Sequence, residues 1–535
     1  MRPPTRRPQA AGAGPAVSAH ITLTNCARST RKFPLSVECF ARIAGGKPLY
    51  TVGVAVYRTD FQGVKVSYAP HEATVQDLTT GSLTGHLLRT TSYMLVSMIF
   101  QTLYVLVDLY WVGRLGTAAV AAVGISGNLT FIVLAATQML GVGTTTLVAH
   151  ATGRRDQAQA TVVFNQAQVL SIVVGVVFLV IAFLGINPYA TIFSADEATR
   201  GLTRDYLVWF IPAMALQFGL IAMASALRGT GNFRPGMVVQ TATVIINIVL
   251  APILVFGWGI GRPLGVAGAA IATLIAIAIG VVWMTLYFLP ADAYLKFTPR
   301  DWSPRFTLWR DMLKIGLPAG AEFAMMAIYM MLVYAVSRPF GAAAQAGFGI
   351  GIRVLQACFL PVVALGFAVS PVAGQNFGAR QSARVKETFR TGAGIAAAAM
   401  LVLACAVWLW GDAMVHVFTQ DTTAVAVGEE YLHIVAFNFV ASGVIFVSSS
   451  MFQAMGNTMP SLITSGSRIL IVAIPVLLLA QTPGFALKWI WYISAAAVLV
   501  QLGMNLLLLK REYRLRLNFA PDERRGLVVS GAVSL

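Results

Sequence analysis

The chain has 535 residues, of which 57% are hydrophobic and only 11% charged, and its mean hydropathy is +0.73. Soluble domains carry roughly 45–50% apolar and about 25% charged residues, so a soluble enzyme, a disordered protein and a disulfide scaffold are excluded. The net charge of +17 does not point to nucleic acid, because much of it sits at the two ends and in short loops between apolar runs, as positive-inside bias places it in a multi-pass membrane protein.

Residues 1–80 stand apart: they begin MRPPTRR and are rich in Arg, Pro and Gly and poor in acids. No apolar core follows the basic start, so a signal peptide is not expected. The stretch reads as a disordered basic extension or as sequence upstream of the true start, with a transit peptide as the third reading. Twelve long apolar runs follow, at 88–112, 118–150, 160–186, 203–228, 234–257, 265–290, 310–337, 343–373, 386–411, 425–455, 459–481 and 485–509. A helical span needs about 20 such residues. In lipid the backbone must satisfy its own hydrogen bonds, so runs of this length without alternation are helices. Cys26, Cys39, Cys358 and Cys405 form no CxxC pair and are read as unpaired, with no metal site.

Basic residues orient the spans. One set of loops carries Arg154, Arg155, Arg228, Arg234, Lys296, Arg300, Arg305, Arg380, Arg384 and Lys386, and the tail after the last run adds Lys510, Arg511, Arg514 and Arg516. The opposite set is poorer in basic residues and holds Asp412, Asp421, Glu429 and Glu430. Both termini are therefore expected in the cytoplasm.

The two halves repeat at one offset. GTAAVAAVGI starts at Gly116 and GAAAQAGFGI at Gly341, 225 residues later. Gly124 and Gly349, Gly153 and Gly378, and the GNxxP segments at Gly231 and Gly456 share that offset. The expected fold is all-α and integral to the membrane, with twelve transmembrane helices in two six-helix lobes. An even number of spans per repeat relates the lobes by a pseudo-two-fold along the membrane normal. The expected organisation is the extension at 1–80, an N-lobe at 81–300, a C-lobe at 301–510 and a cytoplasmic tail at 511–535.

These segments resemble the prokaryotic branch of the multidrug and toxic compound extrusion (MATE) family. The resemblance covers roughly residues 77–510 and rests on DLTTGSLTGHLLR, on LVDLYWVGRLG at Leu106–Gly116, and on NIVLAPILVFGWG with GVAGAAIAT between Asn247 and Thr273. GLPAGAE at Gly316–Glu322 and AGQNFGAR at Ala373–Arg380 complete it. It implies a monomeric exporter of the bacterial inner membrane that exchanges H⁺ or Na⁺ for small organic cations, with no ATP hydrolysis and no cofactor. Consistently, no GxxxxGK[ST] phosphate loop occurs. Two positions depart from the family: the proline usual near Tyr93 is absent from TSYMLV, and the usual N-x-x-L-D-P reads Asn247-Ile-Val-Leu-Ala251-Pro252.

Asp108 is the one acid well inside an N-lobe span. A mid-membrane carboxylate costs about 2.5–3.5 kcal/mol on insertion scales. It is expected to be a protonatable coupling site, and the place where a Na⁺ would sit; the plainer alternative is a carboxylate near the helix end that reaches water or pairs with Arg114. Asn247 and Thr273 offer hard oxygens to the same site, or serve as hydrogen-bonding glue between helices. Glu322 is a second candidate cation or proton site, or else an interfacial carboxylate near Lys314 and Arg310. Arg353 and Arg468, in C-lobe runs, are expected to be structural counter-ions. Met325, Met326, Tyr329, Met330 and Met331 could line an adaptable cavity for flat cations, or pack and face lipid. His150 and His416 receive no role. The rival functions are a lipid-linked oligosaccharide flippase, which would need a basic cavity, and a membrane enzyme or receptor, which would need clustered His, Asp and Glu.

Overall fold

The computed structural model describes residues 76–258, 261–290, 293–482 and 484–519, together with two short strands. The expected extension at 1–80 lies largely outside the described residues. The chain divides into two units, Met1–Ala73 and Thr74–Leu535. In the first, β1 (Ser36–Glu38) and β2 (Gly53–Ala55) pair antiparallel, with Val37 opposite Val54.

The second unit is helical. The first half contributes α1 (Leu83–Gly113), α2 (Thr117–Gly153), α3 (Gln157–Phe193), α4 (Glu197–Gly229), α5 (Arg234–Phe256) and α6 (Gly265–Tyr287). The second half contributes α7 (Phe306–Ser337), α8 (Ala342–Gly378), α9 (Ser382–His416), α10 (Thr422–Ala436), α11 (Phe439–Ala454), α12 (Met459–Leu479) and α13 (Lys488–Arg516). Eleven of these are long and apolar enough to cross a membrane; α10 and α11, bent by 59° at Phe437–Asn438, make the twelfth span. The run at 425–455 therefore breaks where the sequence offers no glycine or proline. Asn438 at the break is buried and faces a cavity; irregular backbone at this depth persists where it lines a cavity.

The repeat is visible in the backbone. Gly116 and Gly341 cap α2 and α8 with φ of 109° and 90°. Among the described residues the two non-glycine positions at positive φ, Arg155 and Arg380, both at 58°, are 225 apart, as are Gly231 and Gly456 at 81° and 73°. Helix neighbours repeat too: α1 packs on α5 and α8, and α7 packs on α12 and α2.

Two helices serve both lobes. Leu83 and Leu87 of α1 lie in the C-lobe core beside Val369 and Val372, whereas Val112 lies in the N-lobe core. Met312 of α7 is in the N-lobe core, and Val333 and Val336 are in the C-lobe core. The crossings are close because the residues are small. A methyl on Gly143 would lie 2.6 Å from the Met312 carbonyl oxygen, and one on Gly320 would lie 2.6 Å from that of Ala135.

Hydrogen bonds joining the halves gather at the end that carries the basic loops. Gln375 Nε2 of α8 donates to the Gly229 carbonyl at 2.9 Å, and His150 Nε2 of α2 contacts the Ala454 carbonyl at 2.6 Å. These are one contact made twice, since both partners are displaced by 225. Between them α2 and α8 cross, with Gly153 against Gln375 and Gly378 against His150.

The segments entering α1 and α7 are held as firmly. The Leu78 amide donates to Gln375 Oε1, Asn376 donates to the Leu78 carbonyl, and Leu78 is fully buried; residues 76–80 are thus part of the helical unit. Burial pushes the Asp77 carboxyl up, but hydrogen bonds from the hydroxyl and amide of Thr79, together with the nearby charges of Arg155 and His86, outweigh it and hold the group below its usual range. The linker into α7 is clamped by two adjacent buried amides of α3. Asn165 donates to the Lys296 carbonyl and accepts from the Thr298 amide and Trp302 Nε1. Gln166 donates to the Asp301 and Ser303 carbonyls and accepts from the Arg305 amide and Trp309 Nε1.

Candidate functional site

The N-lobe site forms where α1, α5 and α6 meet. Asn247 Nδ2 donates to Thr273 Oγ1 at 3.0 Å, Thr273 donates to the Ala269 carbonyl at 3.1 Å, and the Tyr104 hydroxyl lies 3.2 Å from Thr273 Oγ1. Asn247 and Thr273 thus bond to each other rather than to Asp108, with Tyr104 a third member. Asp108 stands one turn beyond Tyr104 on α1, and its Oδ1 is buried with no hydrogen-bond partner. It forms no ion pair with Arg114, whose guanidinium lies 5.8 Å over the Tyr110 ring instead. Ala251, one turn past Asn247 on α5, is buried.

The C-lobe site is a cavity of about 470 Å³ walled by α7, α8, α10, α11, α12 and α13 and closed on one side by Gln138 and Val142 of α2. Glu322 lies midway along α7. Ser461 donates to its Oε2 at 2.8 Å and Ser465 to its Oε1 at 2.9 Å. Ser449 extends the chain to Ser461 at 2.7 Å, and Gln501 donates to Ser465 at 3.3 Å. Arg468 continues the same wall: Nη1 reaches Gln501 Oε1 at 3.5 Å, and the guanidinium sits 5.1 Å over the Tyr329 ring. Ser461, Ser465 and Arg468 follow at four and three residues on α12, one helix face, a polar stripe readable in the sequence but not read there.

The two arginines expected as counter-ions differ in setting, and the charge of Arg468 lies close enough to Glu322 to interact with it without direct contact. Neither Arg353 nor Arg468 makes an ion pair among the described residues. Arg353 is exposed and outside the cavity wall; Arg468 is in it. Met325, Met326, Tyr329 and Met330 line the cavity, whereas Met331 is 72% exposed on the outer face. Tyr329 is the repeat equivalent of Tyr104, and its hydroxyl meets Ser494 of α13 at 2.7 Å, so each lobe ties its first helix to its sixth through a tyrosine. His150 and Gln375 escaped the sequence reading, although the repeat offset already pairs them. Cys358 and Cys405 are free thiols.

Twelve spans in two repeat-related lobes, with polar groups buried inside each, define a multi-pass membrane transporter rather than an enzyme. The MatE family model matches residues 94–253 and 318–479, and the chain belongs to that family. The multidrug export protein MepA of Staphylococcus haemolyticus is 27% identical over 367 residues, 68% of this chain and 79% of the relative. The probable multidrug resistance protein YpnP of Bacillus subtilis is 27% identical over 391 residues, 71% and 86% of the two chains. A solved outward-facing MATE transporter of the MOP superfamily superposes with a TM-score of 0.77 at 24% identity, covering 84% of this chain and 99% of its own.

Proposed function

We propose that the protein is a secondary-active multidrug efflux antiporter of the bacterial inner membrane, with both termini cytoplasmic, that exchanges H⁺ for organic cations by alternating access. The observation that carries the coupling ion is Asp108 Oδ1, buried without a partner. A buried polar group without a hydrogen bond is costly, and an unpaired buried charge more so. A carboxyl in that position is suited to carry a proton. Na⁺ is poorly served: the Thr273 hydroxyl already accepts from Asn247 and donates to Ala269, and Ala251 supplies no oxygen. Hard cations need several oxygens in exchange for their hydration. Glu322, held by two serines, is the second candidate proton or cation site. The flippase reading asks for a basic cavity, and Arg468 is the single basic residue in this wall.

The test is transport in proteoliposomes with a fluorescent cation, driven first by a ΔpH and then by a Na⁺ gradient. ΔpH should drive export, Asp108→Asn should abolish it in folded protein, and Glu322→Gln should impair it less. Na⁺-driven transport at zero ΔpH overturns the choice of ion. Full activity in Asp108→Asn moves the coupling site to Glu322.

A further inference from the structure

The C-lobe cavity contains a group that export of plain cations does not use. Arg468 lines it, its Nε is buried with no hydrogen-bond acceptor, and its one side-chain partner, Gln501, is at the 3.5 Å limit. No carboxylate lies within ion-pair distance of it among the described residues. A guanidinium presents N–H donors in a fixed plane that matches a two-oxygen anion. In the same cavity, each oxygen of Glu322 accepts one serine hydroxyl and keeps capacity for more. Apolar and aromatic side chains complete the wall, among them Met325, Met330, Phe359, Phe367 and Phe446.

A purely cationic ligand is attracted by Glu322 and repelled by Arg468. A purely anionic one meets the reverse. A ligand carrying both charges satisfies both. We infer that this cavity selects aromatic zwitterions: the carboxylate is taken by the guanidinium of Arg468, the cationic end is directed to Glu322, and the ring lies among the apolar side chains. Arg468 is then the specificity-determining residue. The inference rests on the transporter reading and not on the coupling ion.

The experiment measures binding to the purified full chain by calorimetry, at low chloride, with three probes of one shape. They are a naphthyl carboxylate bearing a trimethylammonium group, its methyl ester, and the analogue with tert-butyl in place of trimethylammonium. Wild type should bind the first at least about tenfold more tightly than either of the others, the scale expected for one charge contact in a partly buried site. Arg468→Gln should erase the preference over the ester, and Glu322→Gln the preference over the tert-butyl analogue. If Arg468→Gln does not fold, Arg468→Lys, which keeps the charge without the planar edge, should narrow the ester ratio. Equal wild-type affinity for zwitterion and ester, or a ratio unchanged by the Arg468 variant, overturns the inference. So does ester affinity that rises with chloride in place of gluconate, which would make Arg468 the seat of an inorganic anion. Charge-selective binding without ΔpH-driven export would sink the coupling reading alone; export without charge selectivity would sink this one alone.

Discussion

Gly153→Ala tests the closure of the two lobes at the basic end. The added methyl would lie 2.0 Å from the Gln375 carbonyl oxygen, where α2 crosses α8. Ordinary contact is about 3.5 Å, so the helices must part by roughly 1.5 Å. Overpacking of this kind costs about 1–3 kcal/mol. The flanking bonds of His150 to Ala454 and Gln375 to Gly229 are worth about 1 kcal/mol net each, and one of them is expected to break as well. The closed arrangement should lose about 2–4 kcal/mol, which shifts its ratio to the open one by roughly 30- to 1,000-fold. The readout is maleimide labelling of Thr146→Cys, a fully buried seam position, in nanodiscs and on a background lacking the 4 native cysteines. Labelling should quicken at least about tenfold in Gly153→Ala and also rise in Gly378→Ala. It should stay unchanged in Gly124→Ala, where the methyl meets nothing within 4 Å. Unchanged labelling in folded Gly153→Ala, or an equal rise in Gly124→Ala, refutes the closure argument.

Three further outcomes are expected. His150→Gln, which installs the residue found at the equivalent point of the other lobe, should transport nearly as wild type, while Gln375→Ala, which strips the Leu78 amide and the Gly229 carbonyl of their partner, should lower both stability and transport rate in the proteoliposome assay. Asn165→Ala leaves the Lys296 carbonyl, the Thr298 amide and Trp302 Nε1 unsatisfied; a cost of about 3–5 kcal/mol should appear as a fall of several degrees in the detergent melting temperature. Ala251→Asp places a second carboxylate one turn from Asn247 and should confer Na⁺-driven transport that the wild type lacks, read at zero ΔpH.

The spans were legible because lipid imposes a length and an apolarity that composition alone displays. Their ends were not: α3, α9 and α13 run several residues past the apolar stretches, to Phe193, His416 and Arg516, because a helix continues into water on side chains that hydropathy does not score. The break at Phe437–Asn438 was invisible for a related reason, since cavity formation and not residue type permits it. The repeat was readable down to its positive-φ residues. In the N-lobe, Asn247 and Thr273 were marked by their residue types and the resemblance, but their bond to each other and the solitary state of Asp108 were not legible. Arg468 shows the sharper limit. A charge in an apolar run announces that it needs a reason, and only the packing of α12 on α7 and α13 shows that it faces a cavity it shares with Glu322.

The exchange of helix halves between lobes bears on how the chain is made. Leu83 and Leu87 open the first span, yet the surface that buries them belongs to α8, which is not complete until residue 378. At about 5–20 residues per second, the start of α1 waits roughly 15–60 s beside lipid, the nascent chain or a chaperone before its site exists. The first half alone cannot finish its own core either, since Met312 arrives from α7. Biogenesis of this protein is therefore a single late event, and a ribosome stalled between the halves leaves a fragment with two unfinished lobes rather than one finished one.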